Sequence, residues 1–239
     1  MITRKEQARL KAMKRYLKLY YAAENKLQNI VMLASYITGT PVAFITLMDK
    51  EVQWITTRHG YPVEQMPRST SFCTHTIEQE NVFVVNDAEQ DERFKNNPIV
   101  TMQPGAKFYA GTPLKSNDGH NIGTLCVMDV KPNKLDDEQT NCLKALSAQV
   151  SNLMELDLSM QLIKENVDEI EKQNATLRTI AHMQAHEFRA PLCTVKSVMD
   201  LIKLHDYAVS RDYVEMLEEA VVALGTKICS VVEMTIPAG

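Results

Sequence analysis

One histidine stands among neighbours that suit an imidazole nucleophile. His186 opens the run His186-Glu187-Phe188-Arg189-Ala190-Pro191-Leu192. A carboxylate directly after an imidazole can hydrogen-bond one ring nitrogen and leave the other as the nucleophile, which is general-base logic applied to histidine. Pro191 follows five residues after His186; it removes a helix hydrogen bond and can kink the chain just past the site. His182 has no such acid or proline behind it.

The periodicity around His186 predicts the element that carries it. From about residue 136 the chain reads as helix, with Asp136 and Asp137 near the start, where negative charge suits the helix dipole. Leu143, Leu146, Val150, Leu153, Leu156, Met160, Ile163, Val167, Ile170, Asn174 and Leu177 step by threes and fours. That spacing predicts a coiled-coil seam whose partner is a second copy of the same helix, a parallel homodimer. The spacing around Leu153 runs three then three, a phase break, and Asn174 takes an a position where a buried amide sets register. Continued onward, the heptad puts Ala181 and Phe188 at a, Gln184 at d and His186 at f, facing outward. Leu192, Val195, Val198 and Ile202 extend the stripe, His205 to Arg211 break it, and Val214, Leu217, Val221, Leu224, Ile228 and Val231 resume it. Two amphipathic helices joined by a turn make half of a four-helix bundle, completed by dimerisation.

The first half has a different texture. Residues 1–38 read as helix, and Gly39-Thr40-Pro41 stops it, with Gly39 as the C′ residue. Residues 4–18 carry seven cations, which read as the solvated face of a helix whose other side holds Leu10, Met13, Leu17 and Tyr20/Tyr21. Strands follow at Val42 to Met48 (apolar on both faces, hence central), Val52 to Thr57, Val82 to Val85, Lys107 to Leu114 and Ile122 to Met128. Asp118-Gly119 supplies a tight hairpin turn. Ser69, Thr70 and Ser71 are cap candidates for a short helix over 71–80. The segment 86–106 reads as loop, long enough to cover a pocket.

Bulk properties narrow the function classes. Hydrophobic residues make up 45% and charged residues 23%, ordinary for a chain that buries a core. A net charge of −4 argues against a general nucleic-acid binder. The five cysteines form no CxxC pair and no zinc spacing, so a reduced intracellular thiol set is expected and no metal site. No apolar run approaches a membrane helix, and the basic N-terminus lacks the apolar stretch of a secretory signal. The expectation is a cytoplasmic protein with no membrane or nucleic-acid partner.

Two family resemblances follow from these residues. Over about 175–236 the sequence resembles the H-box region of the HisKA-type dimerisation and phosphoacceptor domain of sensor histidine kinases, with His186, Glu187, Arg189 and Pro191 in the family positions. That resemblance implies that His186 takes the γ-phosphoryl group of ATP and passes it to an aspartate on a response-regulator receiver domain, with Glu187 as base and orienting group. Ala190 stands where the family often has Thr or Asn, so the resemblance does not imply phosphatase activity.

Over about 20–156 the sequence resembles a GAF domain. The matching segments are Gly39-Thr40-Pro41-Val42-Ala43, Phe72-Cys73-Thr74-His75-Thr76-Ile77, Val85-Asn86-Asp87-Ala88, Phe108-Tyr109-Ala110-Gly111-Thr112-Pro113-Leu114 and Gly123-Thr124-Leu125-Cys126-Val127-Met128-Asp129. GAF domains bind cyclic nucleotides, bilins, haem or other small molecules, and some bind nothing, so the ligand stays open. Pocket candidates are Cys73, His75, Asp87, Tyr109 and Cys126. Either cysteine would serve as a covalent or redox handle and His75 as an iron ligand. On the plainer reading the cysteines pack as small buried hydrophobes and His75 hydrogen-bonds beside the core.

The expected architecture is therefore an N-terminal helix (1–19), an α+β GAF domain with an antiparallel sheet flanked by helices (20–156), a coiled-coil signalling helix (157–178) and a HisKA-like hairpin (179–239). No P-loop and no Asp-x-Gly-x-Gly segment occurs, so ATP and magnesium are expected only through a separate or missing ATP-binding domain, in cis or in trans. Autonomous autophosphorylation is not expected. The competing readings are a dimeric small-molecule-binding or scaffold module whose histidine is never phosphorylated, and a redox enzyme using Cys73 and Cys126.

Overall fold

The computed structural model describes residues 3–20 and 27–235. Tyr21 and the Tyr20 side chain, expected on the apolar face of the first helix, lie outside the described residues. The chain divides into two compact units, Met1–Ile163 and Lys164–Gly239.

The first unit is built on a six-stranded sheet ordered β3-β2-β1-β6-β5-β4. The strands are β1 (Val42–Met48), β2 (Val52–His59), β3 (Gln65–Pro67), β4 (Phe83–Val85), β5 (Phe108–Lys115) and β6 (Asn121–Asp129), and every pairing is antiparallel. β1 lies at the centre, as its two apolar sets predict: Ala43 to Met48 are all buried. The short edge strand β3 was not predicted, because three residues ending in proline show no alternation and are held by backbone pairing to β2 alone.

Helices α1 (Arg4–Tyr20), α2 (Gln28–Thr38) and the start of α5 (Asp137–Leu204) cover one face of the sheet. Met13, Tyr16, Val31 and Ala34 pack there on Ile45, Leu47, Phe108, Leu125 and Val127. Within the region 1–38, expected to be helical, the described residues hold α1 and α2, the second starting after a turn at Leu27. Its stop is as expected: Gly39 takes φ +63° and its N–H donates to the Tyr36 carbonyl. One of the expected solvated cations is instead buried, and another, exposed as expected, forms an ion pair. Arg9 is buried and donates to the Met48 carbonyl at 2.6 Å, and Arg15 grips both carboxylate oxygens of Asp118.

The other face carries α3 (Cys73–Thr76) and α4 (Pro98–Thr101) with the loops around them. The short helix expected over 71–80 is one turn, preceded by a 3₁₀ turn at Arg68–Thr70.

α5 changes partner along its length. Leu143 and Val150 are buried in the first unit's own core, with Leu146, Met154 and Leu158 packed against it. The expectation that the seam faces a second copy from Leu143 onward therefore fails for its first three positions. The sheet face left open by α1 and α2 takes them instead, since each fully buried Leu or Val contributes roughly 1.5–3 kcal/mol. Beyond the phase break, Leu156, Met160 and Ile163 are exposed.

In the second unit α5 ends at Leu204 and α6 (Arg211–Thr235) returns alongside, at the break expected over His205 to Arg211. Asp206 and Tyr207 turn the chain with φ of 53° and 63°. Val198, Ile202 and Ala220 are buried, while Val167, Ile170, Leu177, Leu192, Val214, Val221 and Ile228 remain exposed. Pro191 lies inside the helix and is buried.

Candidate functional site

The sheet register brings one row of residues beneath α3. Phe44 of β1 faces Cys126 of β6, which faces Gly111 of β5, which faces Phe83 of β4. Above this row the Ser71 hydroxyl accepts the Cys73 N–H at 2.9 Å and starts the single turn that carries Cys73 and Thr76. The Cys73 sulfur then lies 3.7 Å from that of Cys126, both side chains fully enclosed.

Tyr109 completes the cluster. Its hydroxyl lies 3.4 Å from the Cys73 sulfur, to which it donates, and 2.7 Å from Thr76 Oγ1. A phenol has one proton, so with that proton on sulfur it accepts from Thr76. Gly111 makes this possible: a Cβ there would sit 2.2 Å from the Tyr109 hydroxyl. The Cys126 thiol donates to the Phe44 carbonyl at 3.5 Å.

The two thiols titrate as one pair. Burial opposes ionisation of either, but the adjacent Cys126 thiol and the Thr124, Tyr109 and Ser71 hydroxyls around the sulfur outweigh it at Cys73, whose thiol is held below its ordinary value. Burial and the adjacent sulfur push Cys126 well up, and burial followed by the two sulfurs does the same to Tyr109. The Tyr109 hydroxyl donates to the Cys73 sulfur, so its surroundings favour the thiolate at Cys73.

Cys73 and Tyr109 also line a narrow cavity with Phe44, Gln53, Tyr61 and Phe72; it encloses about 210 Å³ between atoms, including its mouth, with room inside for about one water molecule. Phe44 stacks on Tyr61 and Phe72 on Tyr109, with ring centroids 5.3 and 5.0 Å apart. Gln53 is buried, its Oε1 accepts from the Ser71 hydroxyl, and its Nε2 has no partner. Sequence reasoning missed Gln53, although it shares the inward parity of Ile55 and Thr57 along β2.

Of the five pocket candidates, Cys73, Tyr109 and Cys126 come together. His75 points elsewhere in the same layer, stacked on Phe83 and edge-on to Phe94 at 5.9 and 5.0 Å. Asp87 caps a loop, accepting from the Glu89 N–H and from Gln90 Nε2. Among the described residues no three His, Cys, Asp or Glu side chains gather in a way that could hold a metal.

In the second unit His186, Glu187 and Arg189 are exposed, with Gln184 and Phe188 half-buried beside them. Lys227 of α6 donates to Glu187 Oε2 at 3.1 Å. Among the described residues no helix is long and apolar enough to cross a membrane.

The sheet, the helices on its two faces and the enclosed cleft under a one-turn helix define the class, and a GAF-domain family model matches residues 23–154. The chain belongs to the GAF domain family. It is 40% identical over 110 residues to a cyclic di-GMP phosphodiesterase from Pseudomonas aeruginosa, a match that spans 46% of this chain but only 19% of that protein. Similar solved structures include the GAF domain of an Acinetobacter phosphoenolpyruvate-protein phosphotransferase, 16% identical, TM-score 0.47, covering 67% of this chain and 99% of that one. The free methionine-R-sulfoxide reductase of Neisseria meningitidis is also 16% identical, TM-score 0.47, covering 68% and 96%. A domain from Sinorhizobium meliloti, described as belonging to a two-component sensor histidine kinase, is 14% identical, TM-score 0.42, covering 61% and 99%.

Proposed function

We propose that this chain is a sensory transmitter in which the GAF domain controls phosphorylation of His186 and transfer of the phosphoryl group to a receiver-domain aspartate. The observation that carries the reading is the setting of His186. Its imidazole is exposed on a helical hairpin, and the adjacent Glu187 is held by Lys227 from the facing helix. In the transfer, the N–P bond forms as the bond to the ADP leaving group breaks, and Glu187 takes up the imidazole proton. ATP and its magnesium come from an ATP-binding domain in cis or in trans.

The exposed stripe of Leu156, Met160 and Ile163, continued by Val167, Ile170 and Leu177, supports a parallel dimer through the stalk. A second copy is the partner because the stripe keeps the heptad spacing that self-pairing needs.

The test is transfer of label from γ-labelled ATP through a histidine-kinase ATP-binding domain. Acid-labile label on the chain, lost in His186→Gln, is the expected result; no label, or label that survives the substitution, overturns the reading. A second reading is a regulatory small-molecule module without phosphotransfer. The unpartnered Gln53 amide at the cavity and the relative that is a cyclic di-GMP phosphodiesterase favour it. In that case His186→Gln leaves every output unchanged.

A further inference from the structure

The two buried sulfurs carry an inference independent of His186. We propose that Cys73 and Cys126 form a reversible dithiol–disulfide site oxidised by hydrogen peroxide, selected by the narrow cavity that Cys73 lines.

Four observations support it. The sulfurs are already at 3.7 Å, van der Waals contact, while one sits on a helix of a single turn that can shift by the remaining distance to a bond of about 2.05 Å. Cys73 lines the cavity and Cys126 lies behind it, so an oxidant meets Cys73 first. The cavity has room for about one water molecule, so it shuts out an alkyl hydroperoxide or glutathione disulfide and leaves hydrogen peroxide as the smallest two-electron oxidant. The hydrogen bond from Tyr109 to Cys73 favours the thiolate that must attack.

The chemistry balances. The Cys73 thiolate attacks one peroxide oxygen; an S–O bond forms, the O–O bond breaks, and hydroxide leaves as water after taking the proton shed by Cys73. The Cys126 sulfur then attacks the Cys73 sulfenic acid; the S–S bond forms, the S–O bond breaks, and the Cys126 proton leaves with a second water. The two thiols give two electrons and the peroxide becomes two waters. A small dithiol reverses the reaction by exchange once local opening at the one-turn helix exposes the disulfide. The disulfide removes the acceptor of the Tyr109 hydroxyl, so oxidation alters the cavity wall directly.

The experiment treats the full chain with one equivalent of hydrogen peroxide, alkylates remaining thiols after denaturation and maps peptides by mass. The expected result is a Cys73–Cys126 linked peptide, lighter by two hydrogens and restored by dithiothreitol. The exposed Cys142, Cys193 and Cys229 should remain alkylated. With tert-butyl hydroperoxide the same loss of thiols should be slower by roughly tenfold or more, because exchange rates follow access. Full alkylation of Cys73 and Cys126 while the exposed cysteines oxidise overturns the proposal. In Cys126→Ala, dimedone should trap the sulfenic acid on Cys73. Peptide mapping of the unsubstituted chain decides the proposal even where that variant does not fold.

Discussion

The hydroxyl of Tyr109 occupies the space a side chain on Gly111 would take, two residues along the same strand and the same face. In an ordinary strand, alanine in place of glycine gains roughly 0.5–1 kcal/mol. Here Gly111→Ala should instead cost about 1–3 kcal/mol, the range for overpacking a filled core. Denaturant unfolding measures it, and a variant as stable as the parent would show that Tyr109 is free to move aside.

Glu187 and Lys227 form an exposed pair, so Lys227→Met should change stability by less than about 1 kcal/mol. Glu187→Gln should lower the rate of His186 phosphorylation by at least about a hundredfold, the lower end for loss of a general base. Quench-flow labelling reads the rate; equal rates in parent and Glu187→Gln would leave Glu187 without a role.

Acid should loosen the attachment of the first helix. Hydrogen bonds from Arg9, then Arg68, hold the Glu6 carboxyl at about 2, below its ordinary 4.5, against the opposing effect of burial. A lowered folded-state value means this stabilisation is complete above the unfolded value and lost as pH falls from about 4.5 through about 2. Glu6→Gln should therefore flatten the stability profile between those values and, because solvent screens the pair, cost about 1 kcal/mol or less near neutrality. Urea titrations across pH 2–6 test it, and parallel profiles for parent and variant would rule the contribution out.

Substitutions along α5 should separate by face. Val150→Asp puts a charge in the first unit's core and should unfold it, a loss of several kcal/mol. Ile163→Asp should leave that unit folded and shift the proposed dimer to monomer in sedimentation velocity. A dimer unchanged by Ile163→Asp would remove the stalk as the contact.

What the sequence disclosed follows the range of the forces involved. Gly39 and Gly119 were readable because a positive φ is a local demand. β1 was readable because two apolar faces leave a seven-residue run. The proximity of Cys73 and Cys126 was not, since it depends on the register of β6 against β1 and on where one turn of helix lands. Gln53 was hidden because a polar residue in an alternating strand normally faces water. The split of the α5 stripe was half visible: the phase break at Leu153 marks the place, but which half the sheet claims depends on the area α1 and α2 leave open.

That split makes the step just after Leu158, where the helix leaves the core, a dial. The sheet fixes the azimuth of Val150, and each residue along a helix turns the next by about 100°. Inserting one residue there would swing the Met160 and Ile163 side chains a quarter-turn away from their present direction while Val150, Met154 and Leu158 keep their places in the first unit's core. Inserting seven would bring them back to within about 20°. The number of residues before Met160, more than their identity, sets the direction in which the exposed Met160 and Ile163 are presented.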